Sequence, residues 1–186
     1  MLCMDGDGKF HRSRAVTLEI TVEQLTAADL PEVLALHARA FGPGRFARTA
    51  YRIREGAPQL TSQISRFCLI GRVAGELVAS IRFTPVTIGG KPGALLLGPL
   101  AVEARYAGLG YGKRLIADGI ASARAAGVEL IVLVGDEPYY AHAGFTRAKP
   151  GRIVLPGPVD PARLLLAELQ PGATERFSGV VEAARE

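Results

Sequence analysis

The sequence has no tryptophan and only two cysteines, Cys3 and Cys68, in 186 residues. They form no Cys-x-x-Cys pair and are too few for a disulfide framework or a structural zinc site, so no metal is expected. A reducing compartment, the cytoplasm, is the expected location. No apolar run reaches the roughly 18 residues that a membrane-spanning helix needs, and no membrane partner is expected. The opening stretch MLCMDGDGKFHRSR lacks the apolar segment of a secretory signal. Lysine is scarce too, with Lys9, Lys91, Lys113 and Lys149 the whole complement, and arginine supplies the rest of a net charge of +4. These arginines are scattered from Arg12 to Arg185, without the aromatic-interleaved basic stretch of single-strand binders. Nucleic acid is therefore not an expected partner. Internal repeats are absent as well.

Hydrophobic residues make up 48% of the chain and charged residues 22%, which is globular composition. The length suits one domain, and a chain of this size buries about 70% of its unfolded surface. Residues 15–172 are expected to form that domain, with a flexible N-terminal tail over 1–14 and a C-terminal tail over 173–186. Asp5-Gly6-Asp7-Gly8 resembles the start of a calcium loop, but the twelfth position is Val16 where a bidentate Glu is needed.

Alternation predicts a strand over 15–22. Leu30, Val33, Leu34, His37 and Phe41 recur at helical spacing between a capping Asp29 and Gly42. A second short helix is expected over 46–55. Residues 66–73 and 76–88 read as strands joined at Ala74-Gly75, and a Gly-rich turn leads to a third, 94–102. Leu115, Ile116, Ile120 and Ala123 mark a helix that ends at Gly127, followed by a doubly buried strand over 129–135. A helical turn over 137–143, a strand over 145–148, a Pro/Gly-rich loop over 150–161 and a last strand over 164–170 complete the pattern. This order describes a mixed α+β sheet.

The informative stretch runs from Leu100 to Arg114, LAVEARYAGLGYGKR. A strand empties into glycines, and the glycines open a helix. The unpaired amides and positive dipole end of such a helix start bind anions, and glycine lets phosphate oxygens approach the backbone. A P-loop does not fit, because its first Gly falls on Ala107 and its last residue on Arg114. A dinucleotide fingerprint fails on Lys113 or on Leu115, depending on where it starts. The same glycines would also serve a turn that merely packs helix on strand.

Arg105-x-x-Gly108-x-Gly110 at a strand-to-helix junction is similar to the acetyl-coenzyme A signature of the GCN5-related N-acetyltransferase (GNAT) superfamily. With LLLGPLAV before it and GDEPYYAHAGF after it, the resemblance spans roughly residues 17–149. The later segment resembles a branch of predicted N-acetyltransferases whose strand 5 ends in Gly-Asp-x-x-Tyr-Tyr. The resemblance implies a GNAT-like fold, a mixed central sheet flanked by helices, with strands 4 and 5 (here 94–102 and 129–135) splayed apart. It implies acetyl-CoA as co-substrate, bound by the backbone of Leu100 and Val102 along the pantetheine arm. The diphosphate would rest on the amides from Gly108 through Leu109, Gly110, Tyr111 and Gly112 to Lys113, with Arg105 beside it. Pro99, which cannot donate to a ladder, marks where a bulge would open the wedge.

The resemblance further implies transfer to a small-molecule or peptide amine by direct attack in a ternary complex, and it is compatible with a homodimer. Tyr140 lies four residues before Gly144-Phe145, where many members carry the proton donor. Strand 94–102 has no carboxylate, so the base stays open among Asp136, Glu137, His142 and His37. That gap also leaves room for a catalytically weak acyl-CoA sensor or interaction module. The acceptor is expected near residues 37–55, where Arg45, Arg48 and Arg52 share one helical face.

Overall fold

The structure, a computed structural model, describes residues 2–4, 10–12, 19–42, 53 and 64–184. Of the helix expected over 46–55 only Ile53 is described, helical and buried, while its three arginines lie outside the described residues, as does the first half of the strand expected over 15–22.

Two short strands, β1 (Leu2–Met4) and β2 (Phe10–Arg12), pair antiparallel within the segment expected as a tail. The main sheet begins with β3 (Thr21–Gln24). Helix α1 (Leu30–Phe41) follows and ends at Gly42, whose φ of 67° suits glycine. Asp29 does not cap it as expected. Thr26 opens a preceding 3-10 turn, and Asp29 Oδ2 accepts from the Thr26 amide and hydroxyl at 2.9 and 2.6 Å. Those bonds, with Arg72 beside it, hold the Asp29 carboxyl below its usual range. The buried face of α1 carries Leu30, Val33, Leu36 and His37, while Leu34 is exposed.

Strands β4 (Leu69–Val73) and β5 (Glu76–Ile88) form the expected hairpin, with Ala74 and Gly75 both at positive φ. A second tight turn at Gly89-Gly90 returns the chain as β6 (Lys91–Val102). Helix α2 (Tyr111–Ala125) then crosses to β7 (Leu130–Val134), which lies parallel to β6. A short helix α3 (Glu137–Tyr140), β8 (Thr146–Arg147), β9 (Ile153–Val154) and β10 (Leu164–Glu168) complete the far half. The path runs β3-β4-β5-β6-β7-β10-β8.

The expected C-terminal tail is instead structured. Helix α4 (Ala173–Arg176) leads to β11 (Gly179–Ala183), which pairs antiparallel with β5 and parallel with β9. Strand 164–170 is thus not the last. Phe177 and Val181 are fully buried there, closing the core beneath β5 and β6. The alternation in this segment is too short to announce a strand, and it depends on the open end of β5.

Helix α2 seats Leu115, Ile116, Ile120 and Ala123 on the opposite face of the sheet. Gly119 lets it come close, since a Cβ there would lie 2.3 Å from Cε2 of the fully buried Phe83. In an exposed helix, Gly→Ala gains about 1 kcal/mol. Here overpacking, typically about 1–3 kcal/mol, outweighs that gain. Gly119→Ala is therefore expected to lower stability in urea unfolding by up to about 2 kcal/mol.

Candidate active site

The parallel ladder between β6 and β7 is short. It joins Ala94 to Leu130, Leu95 to Ile131 and Leu96 to Val132, and then stops. Beyond it β7 keeps its pairing with β10 as far as Val134, while β6 stays with β5. On β6 the register slips. Leu97 pairs Phe83 and Leu100 pairs Ile81, so Gly98 and Pro99 together face Arg82. The bulge falls on Pro99, where the missing N–H removes one obligation to the ladder.

The strands part over a cavity of about 650 Å³. Leu97, Gly98, Pro99, Leu100 and Val102 line one wall, and Val134, Gly135 and Asp136 line the other. Tyr139 and Tyr140 from α3, Phe41 from α1, and Pro158, Val159, Asp160 and Arg163 enclose it. Pro158, Val159 and Asp160 lie in the stretch read as a Pro/Gly-rich loop over 150–161, and Arg163 lies just beyond it. Nothing in their spacing ties them to a site; only the pairing of β10 with β7 brings them there.

At one end of the cavity the chain leaves β6 through a 3-10 turn (Ala104–Tyr106) and enters α2. Gly108 and Gly110 sit at φ 78° and 87°, in the left-handed region where a side chain is strained. Gly110 takes the N-cap position without any side-chain cap, and the Arg114 amide is the donor that closes on its carbonyl. The amides of Tyr111, Gly112 and Lys113 precede that bond and face outward from the helix start. Leu109, Lys113 and Arg114 are exposed, and Tyr111 is buried against Tyr106. Arg114 is drawn to Asp118 at 2.7 Å. Arg105 pairs with Glu76 and lies over the Tyr106 ring, 5.1 Å from its centroid.

Tyr140 is held by packing. Its ring covers Gly135, where a Cβ would come within 2.5 Å of Cε2, and meets Phe145 edge-on at 5.8 Å. Burial, with smaller contributions from the neighbouring Tyr139 and Asp136, pushes its phenol up to about 12. Burial raises Tyr139 as well.

The four candidate bases separate. Asp136 lines the cavity and pairs with Arg163 at 3.2 Å. Glu137 is taken by Arg147 at 2.7 Å. His142 is exposed beside Tyr139, and His37 is buried with Nε2 2.9 Å from Ser80 Oγ. Of these four, Asp136 alone lines the cavity. No group of three metal-ligating side chains occurs among the described residues, and no helix there is long and apolar enough to cross a membrane.

A mixed sheet whose central parallel pair opens above a glycine-rich helix start is the architecture of an acyltransferase. Residues 30–145, more than half the chain, match the model of the acetyltransferase (GNAT) family, and the chain belongs to that family. The chain is similar to the uncharacterized N-acetyltransferase YjhQ of Escherichia coli K12, with 35% identity over 134 residues, 69% of this chain and 68% of that protein. It is also similar to the uncharacterized N-acetyltransferase YhbS of the same strain, 26% identical over 159 residues, 83% and 90% of the two chains. The crystal structure of Escherichia coli YhbS with CoA superposes with a TM-score of 0.76 at 24% identity, covering 94% of this chain and 93% of that one. A GNAT family acetyltransferase of Brucella melitensis with acetyl-CoA gives 0.67 at 25% identity, covering 90% and 97%.

Proposed function

We propose that the protein transfers the acetyl group of acetyl-CoA to a primary amine by direct attack within a ternary complex. The observation that carries this reading is the parting of β6 and β7 over a cavity that Tyr140 lines, at the foot of an uncapped helix start. The open β6 edge beside Leu100 and Val102 offers backbone groups with no strand partner from β7, and an extended arm bearing amides would satisfy them. The amides of Gly110 to Lys113 and the positive helix end suit a diphosphate. Arg105 is available to it. Its exposed pairing with Glu76 is worth at most about 1 kcal/mol, less than the roughly 1.5–3 of a charge-assisted bond to phosphate.

The reaction then asks for a neutral amine, a polarised thioester carbonyl and a proton for the departing sulfur. As the neutral amine nitrogen bonds to the carbonyl carbon and the C–S bond breaks, the phenol of Tyr140 gives its proton to the thiolate. The proton shed by the attacking nitrogen passes to water, from which the phenol is reprotonated. A phenol raised to about 12 remains protonated throughout the working range. The rate is therefore expected to show no descending limb between pH 8 and 10. A fall in that range that Tyr140→Phe removes would show that the phenol titrates there.

The test of the function is incubation with acetyl-CoA and a panel of polyamines, amino sugars and peptide amines, with free thiol measured. Amine-dependent thiol release is expected. The missing carboxylate on β6 favours the other reading, an acyl-CoA sensor, and acetyl-CoA binding without thiol release across the panel would establish it.

A further inference from the structure

Tyr139 and Tyr140 are adjacent and both line the cavity, yet they meet different partners. Tyr140 covers Gly135 on the β7 side. Tyr139 reaches the opposite way, to the start of α2. A Cβ built on Gly112 would lie 2.5 Å from Tyr139 Oη, with Leu100 Cδ2 and Val102 Cγ2 at 3.5 Å. The phenol oxygen thus fills the space that a side chain at the second position of α2 would claim. The same space at the second position of α2 is bordered by the Leu100 and Val102 side chains of the cavity wall.

Glycine is a poor residue inside a helix, so Gly112 needs a reason. Backbone freedom is not that reason. Unlike Gly108 and Gly110, Gly112 is absent from the positive-φ positions. The close approach of Tyr139 accounts for it. Tyr139 is 41% exposed, and the burial of its phenol raises its pKa, so the hydroxyl keeps its proton at neutral pH. The oxygen is therefore a standing donor at the helix start.

We propose that Tyr139 is a cofactor-binding residue, donating its phenol hydrogen to a diphosphate oxygen of CoA, and that Gly112 provides the room for this contact. The inference rests on the acetyl-CoA reading above and assigns the two tyrosines different tasks. Tyr139 holds the cofactor and Tyr140 handles the proton. A residue that only packed between α2 and α3 would not need its hydroxyl.

Calorimetric titration of the full chain with CoA tests this on Tyr139→Phe, Gly112→Ala and the double variant. Each single change is expected to weaken CoA about tenfold, the scale of one hydrogen bond to a charged group. In the double variant, the alanine meets no hydroxyl, and its affinity should equal that of Tyr139→Phe alone. Inorganic pyrophosphate, used as a competitor of CoA, should weaken alongside it in Tyr139→Phe. Affinity of Tyr139→Phe within twofold of the wild type, strictly additive losses, or an unaltered pyrophosphate inhibition constant would each overturn the assignment while leaving the acetyl-CoA reading intact. Failure of the wild type to bind CoA would overturn both. Should Gly112→Ala not fold, the Tyr139→Phe titrations decide the question by themselves.

Discussion

Tyr140→Phe is expected to lower the single-turnover rate of transfer at saturating acetyl-CoA by about 100-fold, within the 10²–10⁴ that a positioned proton donor typically contributes. The substitution removes one oxygen and keeps the ring that packs on Gly135 and Phe145. The fold and the cavity wall should survive, so the loss belongs to the chemistry. Thiol release under single-turnover conditions is the measurement, because it isolates the transfer from product departure. A single-turnover rate within threefold of the wild type would remove Tyr140 from the mechanism and leave it as a wall residue.

The second large effect concerns the cofactor loop. Acetyl-CoA at a thousandfold excess over its Kd should stabilise the native protein by about 4 kcal/mol, visible as a rise in melting temperature. Gly110→Glu should abolish that rise. It puts a carboxylate where a diphosphate is expected and forces a side chain onto a residue at φ 87° and ψ 0°. The backbone alone costs about 1–2 kcal/mol, so Gly110→Ala serves as a control carrying strain without charge. The alanine variant should keep part of the rise. A glutamate variant stabilised as fully as the wild type would mean that the diphosphate rests elsewhere.

What could be read from the sequence divides along physical lines. The loop from Arg105 to Lys113 was legible because glycine at φ 78° and 87° is a local requirement, written in the residues that meet it. The Pro99 bulge was legible for the same reason, since a ring without an N–H suits few ladder positions. Phe41 falls within the stretch 37–55, where the acceptor is expected, and reaches the cavity from the end of α1. The wall from Pro158 to Arg163 was not legible, because the pairing of β10 with β7 brings it to the cavity. The same is true of β11, whose pairing depends on the free end of β5 and on β9. Leu34 misled because a helical repeat specifies a face only to within a residue; Leu36 took the buried place. The distinction between Tyr139 and Tyr140 needed the positions of Gly112 and Gly135, which the motif does not relate to either ring.

The three-pair ladder from Ala94–Leu130 to Leu96–Val132 has one more implication. It is the hydrogen-bonded seam between two half-sheets, β3-β4-β5-β6 and β7-β10-β8. Each half is stitched antiparallel within itself, whereas the seam is parallel and brief. The width of the gap beyond it is therefore set by the angle between the two halves, fixed at Leu96 and Val132, and side chains farther from the seam, such as Tyr140 and Asp160, depend most on that angle.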